Sequence, residues 1–300
     1  MNTQPSHKLR RSAMYVPATH LRALAKVGGL DCDAVIFDLE DAVAPGMKAP
    51  ARGNLVQALA NGRPERKEIV VRVNAIDSSD FEQDMETVAL CRPDAVLVPK
   101  IHAASDVRAM SEAMARHRLG GPLRLWLMVE TLAALQTLGD IVQAGLAAQP
   151  VLDCLVVGTN DLAKESGVFA GDQRHYLMPW LMGIVLTAKR HGVCVLDGVW
   201  NDFADQAGFD AEASQAVKMA FDGKTLIHPA QIGPANRAFS PSDAALLEAR
   251  GIVAAFARPE HADAGVIDLN GKMVERLHWA QAVRLLAVQA AIAARNAAIT

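Results

Sequence analysis

Ionisable side chains recur where short apolar runs end. Asp38, Glu40 and Asp41 lie at and just past the end of AVIFDLE (34–40), Glu130 closes LRLWLMVE (123–130), and Asn160 and Asp161 close CLVVGTND (154–161). Arg72 and Asn74 end EIVVRVN (68–74), Lys100 ends AVLVPK (95–100), Asp197 lies in VCVLDGV (193–199), and His228 falls in KTLIHP (224–229). Charges at the ends of buried runs are costly unless they are paired or hold a metal. Clustered carboxylates with one arginine and one lysine point to a divalent cation. Hard oxygen ligands suit Mg2+, with Mn2+ as the alternative. Glu130 and Asp161 come from neighbouring runs and form the candidate ligand pair. No second histidine stands at helical spacing from His228, which disfavours a His/Cys zinc site. A metal held by two carboxylates leaves positions for water and a chelating substrate, where it could polarise a carbonyl and stabilise a developing alkoxide.

Each of these residues also has a structural use. Glu130 suits the first turn of a following helix, and Asp161 suits the cap of DLAKE. Arg72 either grips an anion with its forked guanidinium or pairs with Glu40 or Asp41. Lys100 is either an ordinary charged lysine or a Schiff-base nucleophile. His228, followed by Pro229, orients a loop or acts as a base.

The elements that must position them follow from periodicity. Eight short apolar runs, including SAMYVP (12–17), recur at intervals that mostly match a strand-plus-helix unit with modest loops. The segments between them read as helices. HLRALAKVGGL is to be capped by Thr19, 103–118 carries Val107, Met110 and Met114 on one face, and 131–147 and 176–191 are apolar and alanine-rich. A helix over 240–258 opens with Ser240 as N-cap, Pro241 at the first helical position and Asp243 near it. Eight alternations predict an α/β (β/α)8 barrel. An open doubly wound sheet is the alternative, but VPATHLR after the first strand carries no G-x-G-x-x-G. The expected organisation is a barrel over 1–258. A polar connector over 259–273 and a long helix over about 275–299 then form a C-terminal lid or oligomerisation arm (259–300).

Composition sets the outer bounds. In 300 residues, 30 Lys+Arg face 33 Asp+Glu, a formal net charge of −3. That removes the basic face that nucleic-acid binding requires. Hydrophobic residues make up 51% and charged residues 21%, so the chain can bury a large core. No stretch reaches the roughly 18 apolar residues of a membrane span. The polar N-terminus MNTQPSHKLRRS has no apolar continuation, so a cytoplasmic protein is expected. Cys32, Cys91, Cys154 and Cys194 lie far apart with no C-x-x-C, and read as reduced, mostly buried thiols.

The motifs R-S-A-M-Y-V-P (11–17), D-A-V-I-F-D-L-E-D-A-V (33–43), V-R-V-N (71–74), P-D-A-V-L-V-P-K (93–100), M-V-E-T (128–131), D-G-V-W-N-D (197–202), F-D-G-K-T-L-I-H-P-A-Q-I (221–232) and A-F-S-P-S (238–242) together resemble the citrate lyase β-subunit-like family of the HpcH/HpaI aldolase superfamily. The resemblance implies a barrel of the phosphoenolpyruvate/pyruvate type, trimeric or hexameric, with a Mg2+ site. It implies cleavage or formation of a carbon–carbon bond in a β-hydroxyacyl thioester such as citryl-, malyl- or citramalyl-CoA, giving an acyl thioester and a 2-oxo acid. Carried over by motif, Glu130 and Asp161 match the metal ligands and Arg72 the substrate-binding arginine. Glu40 and Asp41 match the acids behind them, and Arg22 and Lys26 lie where relatives contact the phosphates of coenzyme A. The chain departs from the family at V-P-A-T (16–19) and at G-T-N-D (158–161). At G-K-M-V-E (271–275) Glu275 stands where many relatives carry the aspartate that serves a neighbouring subunit as acid/base. That last departure keeps the charge but adds a methylene, which changes reach and geometry and counts against a thioester substrate and against thioesterase-type activity. A free-acid pyruvate-type aldolase, and a β-subunit working with an acyl carrier protein in a larger complex, are the alternatives.

Overall fold

A computed structural model describes residues 8–261 and 263–297. Most of the polar N-terminal stretch, and the last residues of the expected C-terminal helix, lie outside the described residues. All eight apolar runs form strands: β1 Ser12–Pro17, β2 Ala34–Asp38, β3 Glu68–Arg72, β4 Ala95–Val98, β5 Arg124–Val129, β6 Leu152–Val157, β7 Cys194–Asp197 and β8 Gly223–Leu226. They pair in parallel in chain order, and β1 also pairs with β8, so the sheet closes into the expected barrel. The open sheet is thereby excluded. Closure needs a residue without a side chain at Gly223, where a Cβ would collide with the Arg10 carbonyl.

The strands read as continuous apolar runs because both faces of a barrel sheet are covered. Ile36, Val70, Leu97, Trp126, Met128 and Val156 belong to a cluster that fills the interior, while the intervening Val35, Phe37, Val71 and Val96 pack under the helices. Around the strands run α1 Leu21–Lys26, α2 Lys48–Asn61, α3 Phe81–Cys91, α4 Ala104–Arg116, α5 Leu132–Ala147, α6 Thr159–Ser166, a four-residue turn α7 Gly171–Arg174, α8 Met178–His191, α9 Gln206–Lys218 and α10 Ile232–Ala238. The cap of α1 is His20, whose Nδ1 accepts from the Ala23 amide at 3.1 Å, rather than Thr19. All four cysteines are free thiols, and Cys32, Cys91 and Cys154 are buried.

The described residues divide into two compact units, Arg10–Phe239 and a second one from Ser240 onward that includes Lys8 and Leu9. The boundary therefore falls earlier than residue 258. The second unit holds α11 Asp243–Phe256, a hairpin of β9 Val266–Leu269 and β10 Lys272–Glu275, and α12 Arg276–Ala297. The helix expected to close the barrel is thus α11, which packs on α12, and the barrel's own eighth helix is the short α10. Ser242, not Ser240, caps α11: its hydroxyl accepts from the Ala245 amide at 3.2 Å, and Pro241 precedes the helix. The connector is not irregular. Asn270 and Gly271, both at positive φ (+57° and +78°), turn β9 into β10. This is the two-residue geometry that Asn-Gly favours. No helix among the described residues is long and apolar enough to cross a membrane.

Candidate active site

Arg72 is the last residue of β3, in register with Asp38 at the end of β2. Neighbouring parallel strands put registered residues on one face, so the two side chains meet. Asp38 takes Arg72 Nε at 2.7 Å and Nη2 at 2.6 Å. Glu40 Oε2 lies 2.9 Å from Nη1, and the guanidinium sits 4.8 Å from the Tyr15 ring centroid. Asp38 also accepts from the Glu40 and Ala42 amides, at 2.9 and 3.2 Å, and so shapes the turn that carries Glu40 and Asp41. Lys48 pins the same turn through the Leu39 and Glu40 carbonyls and Asn74 Oδ1, at 2.9, 2.8 and 2.6 Å. The structural partner of Arg72 is therefore Asp38 with Glu40, not Asp41. Burial opposes charging Arg72, yet the facing carboxylate of Asp38 holds its pKa well above the ordinary value. Burial pushes the Glu40 carboxyl up to about 7, with Arg72 pulling the other way and Asp41 and Glu130 adding to the rise.

Glu130 follows β5 and is almost wholly buried. It does not cap α5, because Thr131 does: its Oγ1 accepts from the Ala134 amide at 3.1 Å. Glu130 Oε1 instead accepts from the Lys100 amide at 2.8 Å, and its Oε2 is buried with no hydrogen-bond partner. Room for this carboxylate exists only because residue 158 is glycine: a Cβ there would stand 2.7 Å from Oε2. Asp161 lies in the first turn of α6 rather than in a strand, since β6 ends at Val157 and Gly158 is the N-cap. Its side chain is spent on Lys100 Nζ at 2.8 Å, not on a capping bond. The same ammonium lies 3.4 Å from Glu130 Oε1 and 3.9 Å from Asp41 Oδ2. Burial raises the Glu130 pKa, against the lowering effect of Lys100. Burial alone would lower that of Lys100, but its bond to Asp161 and the Glu130 charge hold it above the usual range.

Other expected members fall elsewhere. Asp197 does not face the barrel interior. Side chains alternate along a strand, and since Leu196 points inward, Asp197 points out, where it meets Lys224 at 2.7 Å and Arg174 at 2.6 Å. Glu212 of α9 completes that buried network, 2.6 Å from Lys224. It ties β7, β8 and α9 together and has no role at the strand ends. His228 orients a loop: its Nδ1 accepts from the Ala230 amide at 3.2 Å, and its ring stacks on Phe203 at 4.7 Å. Asn160 and Asn201 exchange hydrogen bonds at 3.1 and 2.8 Å, joining the loops after β6 and β7. Arg22 and Lys26 are exposed on α1, four residues apart and so on one face. Glu275 ends β10 in the second unit, with its amide bonded to His278 Nδ1 at 2.9 Å.

Sequence reasoning misses Asp38 and Lys48 as positioning residues. Asp38 is visible as the first acid of D-L-E-D, but only the strand register reveals that it is the clamp on Arg72.

The donors present fit a divalent cation. Among the described residues no group of three or more His, Cys, Asp or Glu side chains is placed to hold a metal ion. Glu130 instead offers a buried carboxylate oxygen without a hydrogen-bond partner, beside a second carboxylate. An open two-ligand site for a hard cation would present just such donors.

Fold and site define an eight-stranded barrel enzyme with its acidic cluster at the C-terminal strand ends, where barrel enzymes carry out their chemistry. Residues 11–229 match the family model described as HpcH/HpaI aldolase/citrate lyase. The chain belongs to this family, whose members are carbon–carbon lyases and related enzymes. It is 42% identical over 287 residues to a (3S)-malyl-CoA thioesterase of Cereibacter sphaeroides, covering 96% of this chain and 97% of the relative. It is 30% identical to an L-malyl-CoA/beta-methylmalyl-CoA lyase of the same organism, covering 90% of this chain and 92% of that one. Among solved structures it is similar to the protein CitE of Mycobacterium tuberculosis in complex with magnesium, acetoacetate and coenzyme A. That similarity has a TM-score of 0.74 at 30% identity, covering 92% of this chain and 96% of the other.

Proposed function

We propose that this enzyme acts on a β-hydroxyacyl-CoA thioester of the malyl type in a Mg2+-dependent reaction. Its chemistry is cleavage or formation of the carbon–carbon bond between an acyl thioester and a 2-oxo acid. The observation that carries this is the buried, partnerless Glu130 oxygen beside Asp161, within the same strand-end region as an arginine held by a bidentate carboxylate. Glu130 and Asp161 would hold the metal, which supplies Lewis-acid polarisation of the hydroxy-acid oxygens when bound. Mn2+ is an alternative ion for the same donors.

The chain's own residues account for the rest. Asp38 fixes Arg72 in one plane, so its guanidinium is preorganised for an oxyanion and does not reorient during the reaction. Tyr15 under that plane and Met128 at its edge keep the arginine from collapsing inward. In the cleavage direction the substrate hydroxyl gives up its proton and the carbon–carbon bond breaks. The electron pair goes to the carbon next to the thioester carbonyl, and that carbon is then protonated. Glu40, with a carboxyl pushed up to about 7, suits a proton relay near neutral pH. Asp41, beside Lys100, completes the acidic rim. Arg22 and Lys26, exposed on one face of α1 directly after β1, offer two cations to the coenzyme A phosphates. Glu275 of a neighbouring copy in a homo-oligomer, trimeric or hexameric, would act as the distal acid/base.

A second reaction on the same substrate is favoured by the 42% identity to malyl-CoA thioesterases. It is hydrolysis of the thioester, giving the free hydroxy acid and coenzyme A. One assay separates the two. Purified protein with malyl-CoA and Mg2+ gives glyoxylate and acetyl-CoA if the carbon–carbon bond breaks, and malate and free coenzyme A if the thioester is hydrolysed. Retention of either activity in Glu130→Ala and Asp161→Ala would refute the site. Turnover of a free hydroxy acid without thioester would indicate the aldolase alternative, and a strict need for an acyl carrier protein the complex. A Glu275→Gln protein that regains activity when mixed with an Arg72→Lys protein would support a shared site.

A further inference from the structure

Lys100 occupies a position that ordinary packing does not explain. It lies just beyond β4 with its backbone at positive φ, in the left-handed region. Residues with a side chain rarely adopt that conformation. The backbone turn does two things at once. It aims the Lys100 amide at Glu130 Oε1, at 2.8 Å. It also brings the side chain back so that Nζ sits 2.8 Å from Asp161 Oδ1 and 3.4 Å from Glu130 Oε1. The ammonium therefore bridges the two carboxylates assigned above to the metal. A third carboxylate, Asp41, stands 3.9 Å from Nζ with most of its side chain in solvent. It gives the ammonium a second anchor outside the pair.

Resting on the metal-site reading above, we infer that Lys100 is a tethered counter-cation that competes with the divalent ion for Glu130 and Asp161. Without metal, the ammonium neutralises the pair and keeps two close carboxylates from repelling each other. When the ion binds, a positive charge in the same gap repels the ammonium. Nζ then leaves the pair for Asp41 or solvent, while the Lys100 amide remains on Glu130. Lys100 is thus a positioning residue that sets metal affinity. The arrangement preserves the carboxylate geometry between turnovers and weakens metal binding by the strength of the internal ion pair.

The test titrates Mg2+ alone into the full chain by calorimetry. Lys100→Met is expected to bind Mg2+ about tenfold or more tightly than wild type, because it removes the competing cation. Its melting temperature in chelator should fall below wild type, and its rise on adding Mg2+ should be the larger. A second measurement needs no variant at Lys100. Mild amine acylation of the wild-type protein, read by mass spectrometry, should modify Lys100 faster when Mg2+ is saturating, and Glu130→Gln should abolish that difference. Equal or weaker Mg2+ binding in a folded Lys100→Met protein overturns the inference while leaving the metal site standing, as does Mg2+-independent labelling of Lys100. If Lys100→Met does not fold, the labelling decides. Wild type that binds no Mg2+, or Glu130→Gln that binds it undiminished, overturns both the inference and the metal site.

Discussion

The two ends of the barrel are built from the same parts and come out differently. At the N-terminal end Arg10 lies 4.7 Å over the Trp126 ring, and Glu68 accepts from its Nε and Nη2 at 2.7 and 2.8 Å, with Asp153 as a further partner. At the C-terminal end Arg72 lies over Tyr15, and Asp38 grips it in the same bidentate way. Each end thus has an arginine, an aromatic ring and a carboxylate fork. The N-terminal cation is spent entirely on closing the barrel. At the C-terminal end Glu40, Asp41, Glu130 and Asp161 are added, Lys100 offsets them only in part, and the buried Oε2 of Glu130 is left without a hydrogen-bond partner. The same motif is therefore a plug where the carboxylates close on the arginine and a site where a buried carboxylate oxygen is left without a hydrogen-bond partner.

That contrast can be broken at either end. The largest effect belongs to Glu130→Ala or Asp161→Ala, each expected to lower kcat/KM roughly a thousandfold or more with loss of Mg2+ binding. Glu130→Gln should abolish Mg2+ binding yet cost less than about 1 kcal/mol of stability, since Oε2 has no partner to lose; chemical denaturation measures this. Glu68→Gln should do the reverse. It breaks the charge-assisted fork on buried Arg10 and leaves Asp153 as its carboxylate partner, costing about 2 kcal/mol, while calorimetry finds Mg2+ affinity unchanged. Arg72→Lys keeps the charge but not the fork, and kcat/KM should drop about a hundredfold. Gly158→Ala pushes a methyl into Glu130, and about a tenfold loss of activity with weakened Mg2+ binding is expected.

A further effect concerns pH. The Glu40 carboxyl rises from an ordinary 4.5 to about 7 on folding, chiefly through burial. The folded state then holds this proton more tightly than the unfolded chain. Its stability contribution is complete below about 4.5, fades as pH rises, and is gone above about 7. Glu40→Gln should therefore gain melting temperature on wild type as the buffer moves from pH 5 to pH 8. A gain that shrinks over that range would contradict the raised carboxyl.

Much of this protein was determined by its sequence. Continuous apolar runs at a regular spacing require strands covered on both faces, and the eight strands formed where those runs lie. The residues at or just past the ends of β2 to β6 supplied the acidic site and its cations, because a barrel directs strand ends to one face. Motifs such as D-L-E-D-A-V carried the family. The Asn270-Gly271 signal for the β9–β10 turn was also present, hidden in a stretch whose polarity read as a connector. Other features were decided only by the tertiary structure. Strand register put Asp38, rather than Asp41, on Arg72. The pleat of β7 turned Asp197 outward into the Lys224–Arg174–Glu212 network, since one residue of shift reverses the face. Packing of α11 on α12 made it part of the second unit, which begins at Ser240. The positive φ of Lys100 placed its ammonium between Glu130 and Asp161. Local sequence sets propensity and periodicity, whereas these outcomes depend on which side chains the closed sheet brings within a few ångströms of one another, a relation between residues tens of positions apart.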